Sequence, residues 1–418
     1  MMRRLRDSGI KWIGEIPENW RIESIGRHFE NRNEKVSDYD YAPLSVTKSG
    51  VVPQLDEVAK SNAHEDRKLV RRGDFVINSR SDRKQSCGLS SYDGSVSLIN
   101  LVLVPHGEID SLYSSYLFNN YGFAEEFYRW GTGIVADLWS TKWDLMRRIN
   151  VPVPPIAEQK KIADFLDGKC AEIDELVQTE EKMIEELKAY KQSVITEAVT
   201  KGLNPSAPMK DSGIEWIGKI PASWEVGRMK YVADINAPCK DVKQYERISY
   251  APMECIKRGW MECQEISPLE SSSGLTTFEE NDIVMAKVTP CFENGNIAVA
   301  KDLINGVALG SSELFVFRAR TVLTEWLFYF LQNSKFTDLA KSTMVGTGGL
   351  KRVSPKFVSN YQMGVPSLDE QKQIADYLGE KCAKIDEIIA LRTEQINQLK
   401  EYKKSLIYEY VTGKKEVV

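Results

Sequence analysis

At 418 residues the chain is long enough for two or more domains. Its apolar share of 42% and charged share of 28% are those of an ordinary soluble protein, and a formal charge of −5 excludes the strongly basic balance of a simple DNA-binding domain. The N-terminal MMRRLRDSGIKW carries charge without an apolar core behind it, so no secretory signal is expected there. There is no apolar run of membrane-spanning length. The seven cysteines include no Cys-x-x-Cys pair, which predicts a reduced, cytoplasmic protein.

In chain order the sequence is written twice. DSGIKWIGEIPENW, Asp7–Trp20, returns as DSGIEWIGKIPASW, Asp211–Trp224. Tyr41-Ala42-Pro43 returns as Tyr250-Ala251-Pro252, and Gly131-Thr132-Gly133 as Gly346-Thr347-Gly348. Short strand-like runs, Asp74–Asn78 and Ser97–Val104, have counterparts at Asp282–Ala286 and Glu313–Phe317. An aromatic helix follows in each copy, Leu112–Trp130 and Leu323–Lys341, and then a Gly-rich loop. The repeated aromatics Trp12, Trp20, Trp216, Trp224, Phe118 and Tyr329 are expected in core packing.

Each copy ends in a long proline-free helix. EQKKIADFLDGKCAEIDEL from Glu158 lies over EQKQIADYLGEKCAKIDEI from Glu370. Pro154, Pro155 and Pro366 stop the chain before these helices, and Gly202 and Gly413 close them. Leu166, Ile173, Leu187 and Val194 share one heptad track beside Val177, Ile184 and Ala198. Leu378, Ile385, Leu399 and Leu406 repeat it beside Ile389, Ile396 and Tyr410. Each rod is on the order of 65 Å long, and the pair is expected to zip together as an antiparallel coiled coil. The track skips at Glu180 and Arg392, which would meet mid-rod and set the register by opposite charge, or else remain two solvated charges. Cys170 and Cys382 occupy equivalent helical positions, as small packing residues.

The layout resembles the specificity subunit of bacterial type I restriction–modification systems. The resemblance covers almost the whole chain. It rests on the two W-I-G-x-I-P-x-x-W segments, on the two E-Q-x-x-I-A-x-(F/Y)-L helix starts behind a proline, and on the domain–helix–domain–helix order. It implies an α+β protein in which two pseudo-symmetric α/β target recognition domains are joined by the two helices. The expected boundaries are residues 1–155, the helix 156–205, residues 206–366 and the helix 367–418. It further implies a non-catalytic reader of a bipartite, asymmetric duplex DNA site. The helices would fix the spacing and dock two methyltransferase subunits, and endonuclease/translocase subunits would join. S-adenosylmethionine, ATP and Mg would belong to those partners, with no cofactor and no membrane for this chain.

The motif inventory is compatible with that division of labour. The sequence has no Asn-Pro-Pro-Tyr or Asp-Pro-Pro-Tyr box, the nearest string being Asn204-Pro205-Ser206, and no G-x-x-x-x-G-K-[ST]. His28, His64 and His106 lack metal-ligand spacing. Base and phosphate readout calls for cationic, amide and hydroxyl side chains on loops. In the first copy the candidates are Asn78, Ser79, Arg80, Arg83, Lys84 and Gln85, then Thr47 with Lys48, then Ser140, Thr141 and Lys142. In the second they are Lys257 with Arg258, then Lys287, Thr289 and Asn294, then Lys351, Arg352, Ser354 and Lys356. These loops diverge between the copies while the scaffold repeats. The competing expectation is a coiled-coil scaffold that binds proteins without reading DNA; a self-sufficient nuclease or methylase is the remote third.

Overall fold

The computed structural model describes residues 3–54, 65–80, 83–134, 139–239, 241–268, 274–347 and 349–417. His64 and Gly348 lie outside these. The chain forms two compact units, divided within the long helices. The first unit comprises residues up to Glu181 and from Thr393 onward; the second spans Lys182–Arg392.

In the first unit, Phe75–Asn78 is central to an antiparallel sheet ordered Cys87–Leu89, Phe75–Asn78, Asn100–Pro105, Phe29–Asn31. In the second, the same design runs Ala233–Ile235, Leu314–Ala319, Ile283–Ala286, Ile297–Val299. All four residues of Phe75–Asn78 and of Ile283–Ala286 are buried, which explains their near-continuous apolar character. Each strand is launched by an aspartate turn. Asp74 accepts the Arg71 N–H and Asp282 the Glu279 N–H, both at 2.8 Å. Each aspartate also holds an arginine fork, Arg32 at 3.1 Å and Arg318 at 2.7–2.8 Å. Arg32 follows the strand Phe29–Asn31 whereas Arg318 lies within Leu314–Ala319, so the turn is repeated while its partner is not.

The single aromatic helix expected in each copy is two helices: Ser111–Asn119 and Tyr121–Arg129, then Thr324–Phe330 and Ser334–Ser342. Asn120 and Asn333 make the break. Each side chain accepts the N–H three residues on, Phe123 at 3.0 Å and Phe336 at 2.9 Å. Each also donates back to a carbonyl of the preceding turn, Leu117 or Phe330. An asparagine that caps one helix and closes another outweighs the continuous apolar pattern. Trp20, Trp224 and Phe118 are buried as expected. Trp216 is 40% exposed, because it lies tilted against Tyr361 at the rim of the core.

The long helices span Ile156–Lys201 and Leu368–Val411. Within the first unit their segments run side by side in opposite directions. Phe165 stacks on Tyr410 at 4.6 Å, Asp174 binds Lys403 at 2.6–2.7 Å and Glu181 binds Lys400 at 3.1 Å. Within the second unit Lys191 binds Asp386 at 2.6–2.7 Å. This pair is the counterpart of Asp174–Lys403 with the two helices' roles exchanged. Every seam position is buried or half-buried, and so are Cys170 and Cys382, whose thiols burial pushes up.

Gln159 and Gln371 fasten each long helix to its own domain. Gln159 is fully buried; its Oε1 accepts the Asp110 N–H at 2.8 Å, and its Nε2 donates to the carbonyls of Pro154 at 2.8 Å and Glu108 at 3.1 Å. Gln371 repeats the bridge, accepting the Leu323 N–H at 2.8 Å and donating to the Pro366 carbonyl at 2.9 Å. This accounts for the glutamine in both repeated helix starts. Replacing Gln159 with Leu should strand buried groups at a cost of about 1–3 kcal/mol each. Hydrogen exchange under denaturant should then show the first unit opening earlier, and Gln371→Leu should do the same to the second. Unchanged opening in both variants would refute the fastening role.

Candidate nucleic-acid interface

The structure brings two of the three loop candidates of the first unit together. The chain leaves Phe75–Asn78 and runs beside residues 140–141. The Thr141 N–H bonds the Ser79 carbonyl at 2.9 Å, and Arg80 bridges Ser140 in antiparallel fashion. Ser140 pairs in turn with Thr132 of the Gly-Thr-Gly loop. Asn78 and Thr141 are buried and spend their side chains inside the fold. Asn78 accepts the Arg80 N–H at 3.0 Å, and Thr141 donates to the Phe127 carbonyl at 2.6 Å. They shape the loop rather than face outward. Lys84 binds Glu125 at 2.9 Å and lies 4.3 Å over the Tyr128 ring. Gln85 sits in left-handed backbone at φ 62° and reaches the Asn119 carbonyl. Arg80, Arg83 and Lys142 are exposed.

Thr47 and Lys48 stand apart, on the turn between Leu44–Thr47 and Gly50–Pro53. Thr47 closes the turn by donating to the Gly50 carbonyl at 3.0 Å. Lys48 borders a groove shared with Gln85, Asp167, Asp174 and Lys403, so it faces the helix pair.

The second unit repeats the ladder with other side chains. The Val353 N–H bonds the Lys287 carbonyl at 2.8 Å, and Val288 bridges Arg352. Thr289, also buried, donates through its hydroxyl to the Gly349 carbonyl at 2.7 Å and accepts the Lys351 N–H at 2.9 Å. Lys287 donates to the Ser312 carbonyl at 2.6 Å. Arg352 forks onto Glu313 at 2.8 and 2.9 Å. Ser354 caps the helix Pro355–Asn360, on which Lys356 is exposed. Arg258 reaches Gln192 of the central helix at 2.7 Å and lines one cleft with Asn294, while Lys257 is exposed on the adjoining turn.

One basic corner escaped the sequence reading. Arg27, Arg147 and Arg148 line an open cleft in the first unit, with Arg147 packed against Gly26 and Arg27 tied to Glu23 at 3.3 Å. The adjacent arginines of MRRI were the available signal. Of the histidines, His28 is buried on Glu23 at 2.6 Å. Among the described residues no His, Cys, Asp and Glu group has metal-binding geometry, and no helix is long and apolar enough to cross a membrane.

What the two units offer is a set of cations, amides and hydroxyls on laddered loops, the chemistry of polyanion and base-edge recognition. Residues 221–401 match the family described as Type I restriction modification DNA specificity domain. The chain is similar along most of its length to specificity subunits of type I restriction enzymes. It is 27% identical to the MjaVIII specificity subunit of Methanocaldococcus jannaschii, across 96% of this chain and 93% of that one. It is 31% identical to the EcoEI specificity subunit of Escherichia coli over half of its own length, a stretch that spans only 35% of the relative. A structure from work on complex assembly and conformational transition of the type I R-M system shares its fold, with a TM-score of 0.70 at 16% identity over 95% of this chain and 98% of that one. The HsdS subunit of Thermoanaerobacter tengcongensis superposes with a TM-score of 0.52 at 16% identity, over 97% and 99% of the two chains.

The Glu313–Arg352 fork has a pH signature. The hydrogen bond from Arg352 holds the Glu313 carboxyl below its ordinary value. A depressed carboxylate contributes stability above its unfolded pKa and loses it as pH falls through the lower folded value. A carboxyl NMR titration should therefore place the Glu313 midpoint lower in the native protein than in Arg352→Gln. Equal midpoints would rule out the fork in solution.

Proposed function

We propose that each globular region reads one half of a bipartite, asymmetric duplex DNA site, with the long helices as the spacer between halves. The observation that carries this reading is the repeated ladder. One backbone arrangement places Ser79, Arg80, Ser140 and Thr141 in the first unit and Lys287, Val288, Arg352 and Val353 in the second. A constant frame with exchanged side chains suits two readings of one kind of ligand. Arg80, Arg83, Lys142, Lys351 and Lys356, exposed on or beside these frames, and Lys257, exposed on a separate turn, are the side chains assigned to groove and phosphate contact. Asn78, Thr141 and Thr289 hold the frames. Two half-sites tied together add their discrimination, because the second binding event is intramolecular.

The helices form an antiparallel coiled coil in this proposal, with Glu180 and Arg392 paired at its middle. They dock two methyltransferase subunits, which endonuclease/translocase subunits join; S-adenosylmethionine, ATP and Mg act on those partners. Exposed apolar residues support two copies of one docking partner. Leu176 and Tyr402 lie on the helix segments of the first unit, and their repeat counterparts Ile388 and Tyr190 on those of the second. The net charge of −5 fits a subunit whose partners supply much of the phosphate clamp.

Methylome sequencing of a host expressing this chain with its cognate methyltransferase should give a two-part methylated motif. Exchanging residues 211–366 for another member's second domain should change one half only. Adding four residues within Gln178–Glu186 should alter the accepted gap while sparing both halves. A correctly assembled complex with no motif would leave the scaffold reading in its place. For the register, Glu180→Arg should lower thermal stability and the added Arg392→Glu should restore it; equal loss in the double variant would end the pairing.

A further inference from the structure

The Gly-Thr-Gly loops are not explained by a general affinity for DNA. In the second unit the loop is a two-stranded ribbon, Val345–Thr347 against Leu350–Arg352, with Thr347 opposite Leu350 near the tip. All six residues are exposed. Two of them are large and apolar, Val345 at 77% and Leu350 at 53% exposure. Leaving such side chains in water is unfavourable, and a partner surface would recover that cost.

The ribbon is thin and firmly rooted. A Cβ on Gly346 would fall 2.1 Å from the Leu350 carbonyl oxygen, so the strands approach more closely there than any side chain would permit. Its returning strand is laddered to Val288 and Thr289: the Thr289 hydroxyl bonds the Gly349 carbonyl near the tip and the Lys351 N–H, Val288 bridges Arg352 at the base, and Glu313 clamps Arg352. An exposed element pinned in this way is preorganised for insertion.

Its charge indicates what it enters. From Lys341 through Leu368 the sequence holds Lys341, Lys351, Arg352 and Lys356 and no carboxylate; Lys341 and Arg352 pair with Asp338 and Glu313 outside that stretch, and Lys351 and Lys356 are exposed on and beside the ribbon. Two strands about 4.8 Å apart fit a major groove about 12 Å wide, which admits a β-ribbon. There an apolar side chain meets the thymine methyl, and a threonine hydroxyl meets a base edge. The first unit carries an apolar side chain after its own Gly-Thr-Gly, Ile134, at 97% exposure.

We propose that the Val345–Arg352 ribbon enters the major groove of the second half-site and that Thr347 and Leu350 read base edges there, while Lys351 and Lys356 grip phosphate. This rests on the DNA-reading function proposed above and names the element that performs it. The test uses the assembled methyltransferase complex with the native chain, Leu350→Ser or Thr347→Ala. Binding is measured to duplexes carrying the native motif with each base pair of both half-sites substituted in turn. The half belonging to residues 211–366 is the one altered by domain exchange. The expected result is a roughly tenfold loss of discrimination at one or two adjacent base pairs of that half, with the other half unchanged. Should Leu350→Ser fail to assemble, Leu350→Ala provides the same comparison. An unchanged profile in the variants, or uniform weakening at every position, overturns the ribbon assignment. Absence of sequence preference in the native complex would instead overturn the DNA-reading function itself.

Discussion

A buried amide governs how each domain meets its helix. Gln159 and Gln371 each tie the residue at a helix start to a proline carbonyl on one side and to a domain backbone N–H on the other. Both side chains are essentially without solvent contact, so their donors and acceptor have no water to fall back on. The bonds therefore act as a directional fastening, where an apolar contact would tolerate sliding. Under the proposed function a spacer helix is of use only if its angle to its own domain is fixed, and this amide ties the two together within each unit.

Around that fastening, the repeat preserves geometry and lets chemistry drift. Asn120 and Asn333 break the aromatic helices by the same pair of bonds. Asp74 and Asp282 make the same turn but recruit Arg32 and Arg318 from non-equivalent places in the fold. Asp174–Lys403 and Lys191–Asp386 are one ion pair with the helices exchanged. As exposed pairs they contribute little to stability, and their value is in register and direction. The buried frame changes slowly because each group in it satisfies another. The exposed loop side chains are bound by no such constraint and are free to differ.

That contrast also orders the candidate interface. Side chains pulled inward by the ladder, Asn78, Thr141 and Thr289, are committed to backbone groups. Those left outward, Arg80, Arg83, Lys142, Lys257, Lys351 and Lys356, are exposed. Lys84 and Arg352 lie between these classes, since each is already engaged by a carboxylate. Binding through them would require exchanging Glu125 or Glu313 for phosphate, which ties affinity to the local charge balance.

The sequence by itself determined the duplication, the two long helices, their apolar seam and the α+β class, because these are written in periodicity and in prolines, which act locally. It also marked the polar loops, since divergence within an otherwise repeated chain is visible without coordinates. The helix breaks at Asn120 and Asn333 were in the sequence but masked by the apolar run around them. Only the tertiary structure decided which loop residues face outward. Thr141 and Lys142 are neighbours in the chain, yet one is buried on Phe127 and the other is exposed. It alone showed that residues 79–80 and 140–141 share a ladder, and that Arg147 joins Arg27 at one corner. Such contacts depend on backbone hydrogen bonds between distant segments, and a backbone N–H or carbonyl leaves no trace of its partner in the sequence of side chains.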